Sequence, residues 1–232
     1  MKKGQIIKLF KAIWRSTGYS FIIAIMVALT IKSAIADWYI VPTGSMKPTI
    51  VEGDRIFVNK LAYDLKIPFT MFNIAEWDSP NRGDIAVFYS PKDGTRLVKR
   101  VIGVPGDTVS MINNRLIING EPLAYKAFDK EQIKKMSGMD QENHIILNEY
   151  LKPIEHAIML SQNIMSIRSF PQFTIPEGKY FMMGDNRDNS ADSRYFGLVD
   201  RETVIGKALS IVISLNASDY YKPRWERFFN AL

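Results

Sequence analysis

The 232 residues, 47% of them apolar, suffice for one sizeable core, or one core with a smaller insert, and exclude a disordered chain. The absence of cysteine excludes thiol nucleophiles, disulfides and cysteine-based metal sites, and the only histidines, His144 and His156, form no His-Glu-x-x-His pair of a zinc protease. The net charge of +6 comes without an arginine-rich helix or recognition motif, so it reads as a membrane-orientation signal and argues against a nucleic-acid partner.

Lys2, Lys3, Lys8, Lys11 and Arg15 all precede the first acidic residue, Asp37. This basic flank, residues 1–15, is expected to stay in the cytoplasm. From Ser16 to Ile31 no residue is charged. That run covers about 24 Å as a helix, against a hydrocarbon thickness of about 30 Å. If Lys32 snorkels, the span extends to Trp38 and Tyr39, which suit the headgroup region. Residues 16–39 thus read as a single transmembrane anchor in contact with lipid, with everything after about residue 40 on the extracytoplasmic side. A cleaved leader is the competing reading, since Ala34-Ile35-Ala36 offers small residues, but Lys32 is awkwardly close to such a cut.

Residues 41–50, Val-Pro-Thr-Gly-Ser-Met-Lys-Pro-Thr-Ile, place Pro42 and Pro48 on either side of Ser45. The prolines favour extended backbone before them, and Gly44 allows a sharp turn, so the Ser45 hydroxyl is presented rather than packed. On its own the decapeptide reads first as an ordinary turn.

Beyond it, short β-runs alternate with Gly/Pro/Asp turns: Ile56–Val58, Ile85–Tyr89, Arg96–Val104, then Val109–Met111 and Leu116–Ile118 joined as a hairpin through Asn113-Asn114. The pattern predicts a mostly β fold, an antiparallel β-sheet domain built from 40–120 and 171–219. Phe69, Met71, Phe72 and Trp77 lack periodicity and suit either a lipid-touching loop or core packing. Residues 121–170, richer in Lys, Gln, Met and Ile, read as a variable α/β insert. Strand pattern resumes at Tyr180–Met183 and closes with one or two strands over Val204–Leu215. The 220–232 tail mixes arginine with Tyr, Trp and Phe, and fits either a membrane interface or docking on its own domain.

A serine nucleophile needs a base, and lysine remains the candidate where histidine is not placed for it. Burial among apolar groups lowers a lysine pKa towards neutrality. Lys99 meets that need best: on a strand it shares a face with Leu97, Val101 and Gly103, while Arg100 points the other way with Val98 and Ile102, so the two basic neighbours are expected to have opposite fates. Without Ser45 the Lys99-Arg100 pair reads first as a solvated pair at a sheet edge.

Pro-x-Gly-Ser-Met-x-Pro-Thr at 42–49, Lys-Arg-Val-Ile-Gly-Val-Pro-Gly-Asp at 99–107 and Gly-Asp-Asn-Arg-Asp-Asn-Ser-x-Asp-Ser-Arg at 184–194 resemble the ordered boxes of bacterial type I signal peptidases, and Arg82-Gly83-Asp84-Ile85 resembles a further one. The likeness covers nearly the whole chain in order, apart from 121–170. It implies a membrane-bound serine endopeptidase of the bacterial plasma membrane that cleaves signal peptides from exported preproteins with a Ser-Lys dyad, without metal or cofactor. By position, Ser45 corresponds to the nucleophile, Lys99 to the general base and Ser190 to the hydroxyl that orients the lysine amine. Thr43 stands where many members carry an oxyanion-hole serine; it keeps the donor but adds a methyl group. Asp192 and Arg194 correspond to a supporting ion pair, with Asp185, Arg187 and Asp188 as further scaffold, although these charges taken alone read as a solvated loop. Shallow substrate pockets are expected from Val41, Met46, Ile50 and Val98. The rivals are another Ser-Lys protease, conjugation-related or self-processing, and a catalytically silent membrane-anchored binding domain. No sequence feature bears on oligomeric state, and Ser-x-x-Lys is absent at Ser45, which sets aside the penicillin-binding reading.

Overall fold

The computed structural model describes residues 3–129, 133 and 144–232, with side chains from Gly18 onward. The chain opens with α1 (Lys3–Ala34), followed by β1 (Ala36–Ile40), β2 (Asp54–Asn59), β3 (Asp64–Lys66), β4 (Asn73–Glu76), β5 (Ile85–Tyr89) and β6 (Arg96–Gly103). Next come β7 (Thr108–Ile112), β8 (Arg115–Ile118), β9 (Glu121–Pro122), β10 (Ala124–Ala127), β11 (His144–Leu151), β12 (Ile154–Ser161) and β13 (Phe170–Thr174). The remaining elements are β14 (Lys179–Met183), α2 (Ser193–Phe196), β15 (Val199–Asp200), β16 (Val204–Asn216) and β17 (Lys222–Pro223).

The expected β architecture is present. The largest sheet runs β1-β2-β16-β5-β6-β14-β15, with β17 paired to β16, and every pairing is antiparallel. Register shifts along β16 against both neighbours bend it, as bulges do. β5 is central, and its near-continuous Ile-Ala-Val-Phe run is explained by burial on both faces. Ile85 and Val87 pack with Tyr39, Val41, Met46, Ile50, Ile56 and Val58; Ala86 and Phe88 pack on the other side with Tyr63, Val101, Tyr180, Met182 and Val204. Truncating Phe88 would cost about 3–5 kcal/mol. A third cluster, with Ile102, Val109, Met111, Leu116, Phe181 and Met183, joins the β13-β7-β8-β9 sheet to the end of β6. Asn113 and Asn114, both at positive φ, make the β7–β8 turn that their sequence suggested.

One expectation is corrected here. The helix stops at Ala34, and Asp37, Trp38 and Tyr39, assigned above to the end of the span, lie in β1. Strand alternation explains this: Tyr39 turns into the core, whereas Trp38 and Ile40 face out. Lys32, rather than snorkelling alone, pairs with Asp37 at 3.5 Å, while Lys60 Nζ donates to the helix-terminal carbonyls of Lys32 and Ser33 at 2.8 and 3.1 Å. From Tyr19 to Ile31 the apolar side chains of α1 are exposed, and among the described residues no helix is long and apolar enough to cross a membrane. The basic flank lies outside the described side chains.

Within 121–170, β9 belongs to the four-stranded sheet, β10-β11-β12 form their own, and Phe170 already begins β13, while Ile133 is helical, its N–H donating to Asp129 O at 3.1 Å; residues 130–132 and 134–143 lie outside the described residues. Of the two readings open for residues 69–80, exposure favours the loop over core packing: they form the end of the β3–β4 hairpin and its exit, with Phe69, Phe72, Ile74 and Trp77 all exposed. The tail docks on the domain: Arg227 is buried against Asp54 at 2.7 Å, while Tyr220, Trp225 and Phe229 point outward.

Candidate active site

The loop from Val41 to Gly53 continues the β1–β2 pairing at its base, where Val41 N–H donates to Asp54 O at 2.8 Å and Gly53 N–H to Val41 O at 3.0 Å. Met46, Ile50 and Val51 are buried below it. These apolar anchors leave Gly44 and Ser45 half-buried above. Asn186 holds the loop from the opposite side: its backbone N–H donates to Ser45 O at 3.1 Å and its Nδ2 to Gly44 O at 3.0 Å. Asn186 was not singled out from sequence, although it lies inside the 184–194 box.

β6 delivers Lys99 to the serine, 54 positions away in sequence, with Nζ and Ser45 Oγ 2.6 Å apart. Lys99 is 3% exposed. Burial pushes its amine down to about 8; the Asp192 and Asp185 carboxylates oppose that effect and Arg194 adds to it. The expected contrast between Lys99 and Arg100 is corrected, because both are buried. Arg100 cannot shed its proton, so it is neutralised by Asp185, with Nε–Oδ1 at 2.8 Å and Nη2–Oδ2 at 2.7 Å, and donates to Gly83 O at 2.9 Å. Thr49, beside the serine loop, donates to Asp185 Oδ2 at 2.6 Å.

The 184–194 segment is not a solvated loop. Asp185, Asn186, Arg187, Asp188 and Asp192 are all buried, each charge with its own partner. Asp192 makes a two-pronged bond to Arg194, both contacts 2.8 Å, and accepts Gly184 N–H at 3.0 Å. Arg187 binds Glu149 of β11 through both Nη atoms, and Asp188 accepts from Ser161 N–H at 2.9 Å. β12 lies alongside the segment, with Met159 N–H donating to Asp185 O and Arg187 N–H to Met159 O at 2.8 and 2.9 Å. Gly184 is required for close approach: a Cβ there would stand 2.3 Å from both Ser45 O and Ser190 Oγ.

Neither histidine approaches Ser45. His144 Nδ1 is 2.7 Å from Ser161 Oγ, and His156 lies between Glu149 and Asp185, at 3.4 and 3.6 Å from their carboxylate oxygens. Burial first, and then Arg100, hold His156 down at about 4 despite those two carboxylates.

A groove of about 380 Å³ runs past Ser45 and Lys99, between residues 39–43 and residues 95–99. It contains Val41, Met46 and Val98, and Thr43 stands exposed in it two residues before the serine. Ile50, expected in a substrate pocket, is instead enclosed in the core because its side chain packs beneath the loop.

The family model described as signal peptidase, peptidase S26, matches residues 14–213. The chain belongs to this family. As a member it is a serine endopeptidase, a hydrolase. Signal peptidase I of Pseudomonas fluorescens is 37% identical over 211 residues, spanning 85% of this chain and 72% of that protein. Signal peptidase I of Rickettsia bellii (strain OSU 85-389) is 34% identical over 215 residues, spanning 84% of this chain and 72% of that protein. A solved signal peptidase I from Enterococcus faecalis V583 is 34% identical, covers 56% of this chain and 97% of its own, and superposes with a TM-score of 0.35.

Within this S26 chain one expected contact is not made. Ser190 is buried beside Gly184, but among the described residues its Oγ has no hydrogen-bond partner, and the hydrogen bond of Lys99 goes to Ser45. Thr49, Arg100, Glu149 and His156 were missed at the sequence level because their partners are distant in sequence; the alternation along β6 does place Arg100 opposite Lys99.

Proposed function

We propose that the chain removes N-terminal signal peptides from exported preproteins, with Ser45 as nucleophile and neutral Lys99 as general base. The observation that carries this reading is the 2.6 Å approach of the buried Lys99 amine to the Ser45 hydroxyl. With a pKa of about 8, roughly a tenth of the amine is unprotonated at pH 7. That fraction takes the hydroxyl proton as Oγ attacks the scissile carbonyl. The ammonium then protonates the leaving amine, and the same lysine activates the water that releases the acyl group. Thr43 and the Ser45 N–H stabilise the oxyanion. Asp192–Arg194, Asp185–Arg100 and Arg187–Glu149 support the site.

Substrate enters as an extended strand. β14 pairs with β6 only from Arg100 onward, so the outer edge of residues 96–99 is open to the groove, and β1, at the sheet edge, ends on its other wall. A strand added there gains backbone hydrogen bonds. Val41, Met46 and Val98 accept small residues at the first and third positions before the cut. The 16–34 part of α1 serves as a single anchor in the bacterial plasma membrane, with the β domain extracytoplasmic. The exposed Trp38, Phe69, Phe72 and Trp77, next to the end of the helix, support contact with lipid. Phe69 N–H donates to Ser33 Oγ at 2.6 Å, tying that hairpin to the helix.

The test is cleavage of a preprotein in detergent by wild type and by Ser45→Ala, Lys99→Ala and Lys99→Arg. All three variants should be inactive. Turnover by Lys99→Arg would exclude a neutral-amine base, since guanidinium keeps its proton at working pH.

A further inference from the structure

The groove has a second cation that the chemistry above does not use. Arg96 is exposed at its end opposite the dyad, and its guanidinium stacks on the Tyr39 ring with Cζ 3.8 Å from the centroid. Tyr39 is itself buried, so the cation stands on a fixed platform rather than on a free side chain. Among the described residues Arg96 has no carboxylate within salt-bridge distance, and no Asp or Glu lines the groove. Asp37, the carboxylate that acts on the same Tyr39, is already engaged by Lys32 at 3.5 Å and Lys60 at 3.6 Å, so a basic substrate side chain reaching this end meets a like charge, while an acidic one meets a guanidinium with no carboxylate within salt-bridge distance.

Arg96 lies three positions before Lys99 along β6, about 10 Å of extended chain. We propose that Arg96 is a specificity-determining residue that favours substrates with an acidic side chain, and disfavours a basic one, at about the fourth or fifth residue before the cut. This rests on the proposed function, which puts the first and third residues between Arg96 and Ser45. The ligand chemistry is a carboxylate-bearing peptide strand held by its backbone along β6, read by one stacked cation.

The experiment uses the full chain in detergent and three matched signal-sequence peptides carrying Asp, Gln or Lys at those positions. For each enzyme form, kcat/KM is normalised to its own Gln peptide, so a general loss of activity cancels. Wild type should prefer Asp over Lys by on the order of tenfold, since an exposed charge contact contributes up to about fivefold in each direction. Arg96→Gln should flatten the preference, Arg96→Glu should invert it, and 0.5 M-scale salt should compress it in wild type. An Asp-to-Lys ratio that is the same in all three forms would overturn the assignment while leaving the peptidase reading intact. Absence of cleavage of every peptide by wild type, with Ser45→Ala indistinguishable from it, would remove the peptidase reading and this inference with it.

Discussion

Replacing Lys99 by Met should inactivate the enzyme and stabilise it at neutral pH. Burial lowers the amine from 10.5 to about 8 in the folded chain. Below pH 8 both folded and unfolded chains carry the proton, and the folded state bears the whole desolvation penalty, about 3 kcal/mol at 1.36 kcal/mol per pKa unit. Between pH 8 and 10.5 only the unfolded chain holds the proton, so wild-type stability rises with pH by about 1.4 kcal/mol per unit. Methionine has neither the penalty nor the slope. It does lose the hydrogen bond to Ser45, worth about 1 kcal/mol. The variant should therefore be about 2 kcal/mol more stable than wild type at pH 7, and the two curves should cross near pH 10. Urea unfolding in detergent at pH 7, 8, 9 and 10, followed by tryptophan fluorescence, measures the gap. The rising limb of kcat/KM in wild type should report the same group, climbing about tenfold per pH unit to a plateau above about pH 8. A gap independent of pH, or a Met variant weaker than wild type at pH 7, would refute the buried-amine argument.

Gly184→Ala would drive a Cβ to 2.3 Å from Ser45 O and Ser190 Oγ; kcat should fall about 100-fold with the circular dichroism spectrum retained, since misplacement by about 1 Å has that effect. Asp185→Asn leaves buried Arg100 without its anion and should cost about 3–5 kcal/mol in urea unfolding at pH 7. Burial opposes ionisation of Asp185, but Arg100 outweighs it and holds the carboxyl below its ordinary range; the wild-type contribution is present above about pH 4, is lost on further acidification, and should be missing from the variant. Thr43→Val keeps the shape and removes the hydroxyl; if that hydroxyl holds the oxyanion, kcat drops about 10²–10³-fold with KM little changed, and a drop below threefold would assign the task to the backbone alone.

Local chemistry carried most of the sheet. β5 was legible because a strand buried on both faces must be apolar throughout, and the β7–β8 turn because Asn113 and Asn114 tolerate positive φ. What stayed hidden depended on pairings distant in sequence. Arg100 looked solvated because its counter-ion, Asp185, lies 85 positions away. The 184–194 charges looked like a surface loop for the same reason, their partners Glu149 and Ser161 belonging to a region whose Lys, Gln and Met content suggested helix. Its β11–β12 hairpin is recognisable only from its pairing register, which runs unbroken from His144↔Ser161 to Leu151↔Ile154. Trp38 and Tyr39 fit a headgroup belt by composition, and only the pairing of Asp37 with Val58 and of Tyr39 with Ile56 assigns them to the sheet.

The buried ion pairs also bear on the base. Asp192 and Asp185 both favour the protonated lysine, and either carboxylate without a counter-ion would shrink the neutral fraction of Lys99 further. Each is instead engaged by an arginine: Asp192 by Arg194, Asp185 by Arg100. Because guanidinium groups retain their protons, this cancellation persists across the working pH range. Desolvation is then left as the dominant influence on the amine, and it acts towards the neutral form. The two arginines thus work through electrostatics on an atom neither needs to touch, which accounts for the many buried charges around the proposed Ser45–Lys99 dyad.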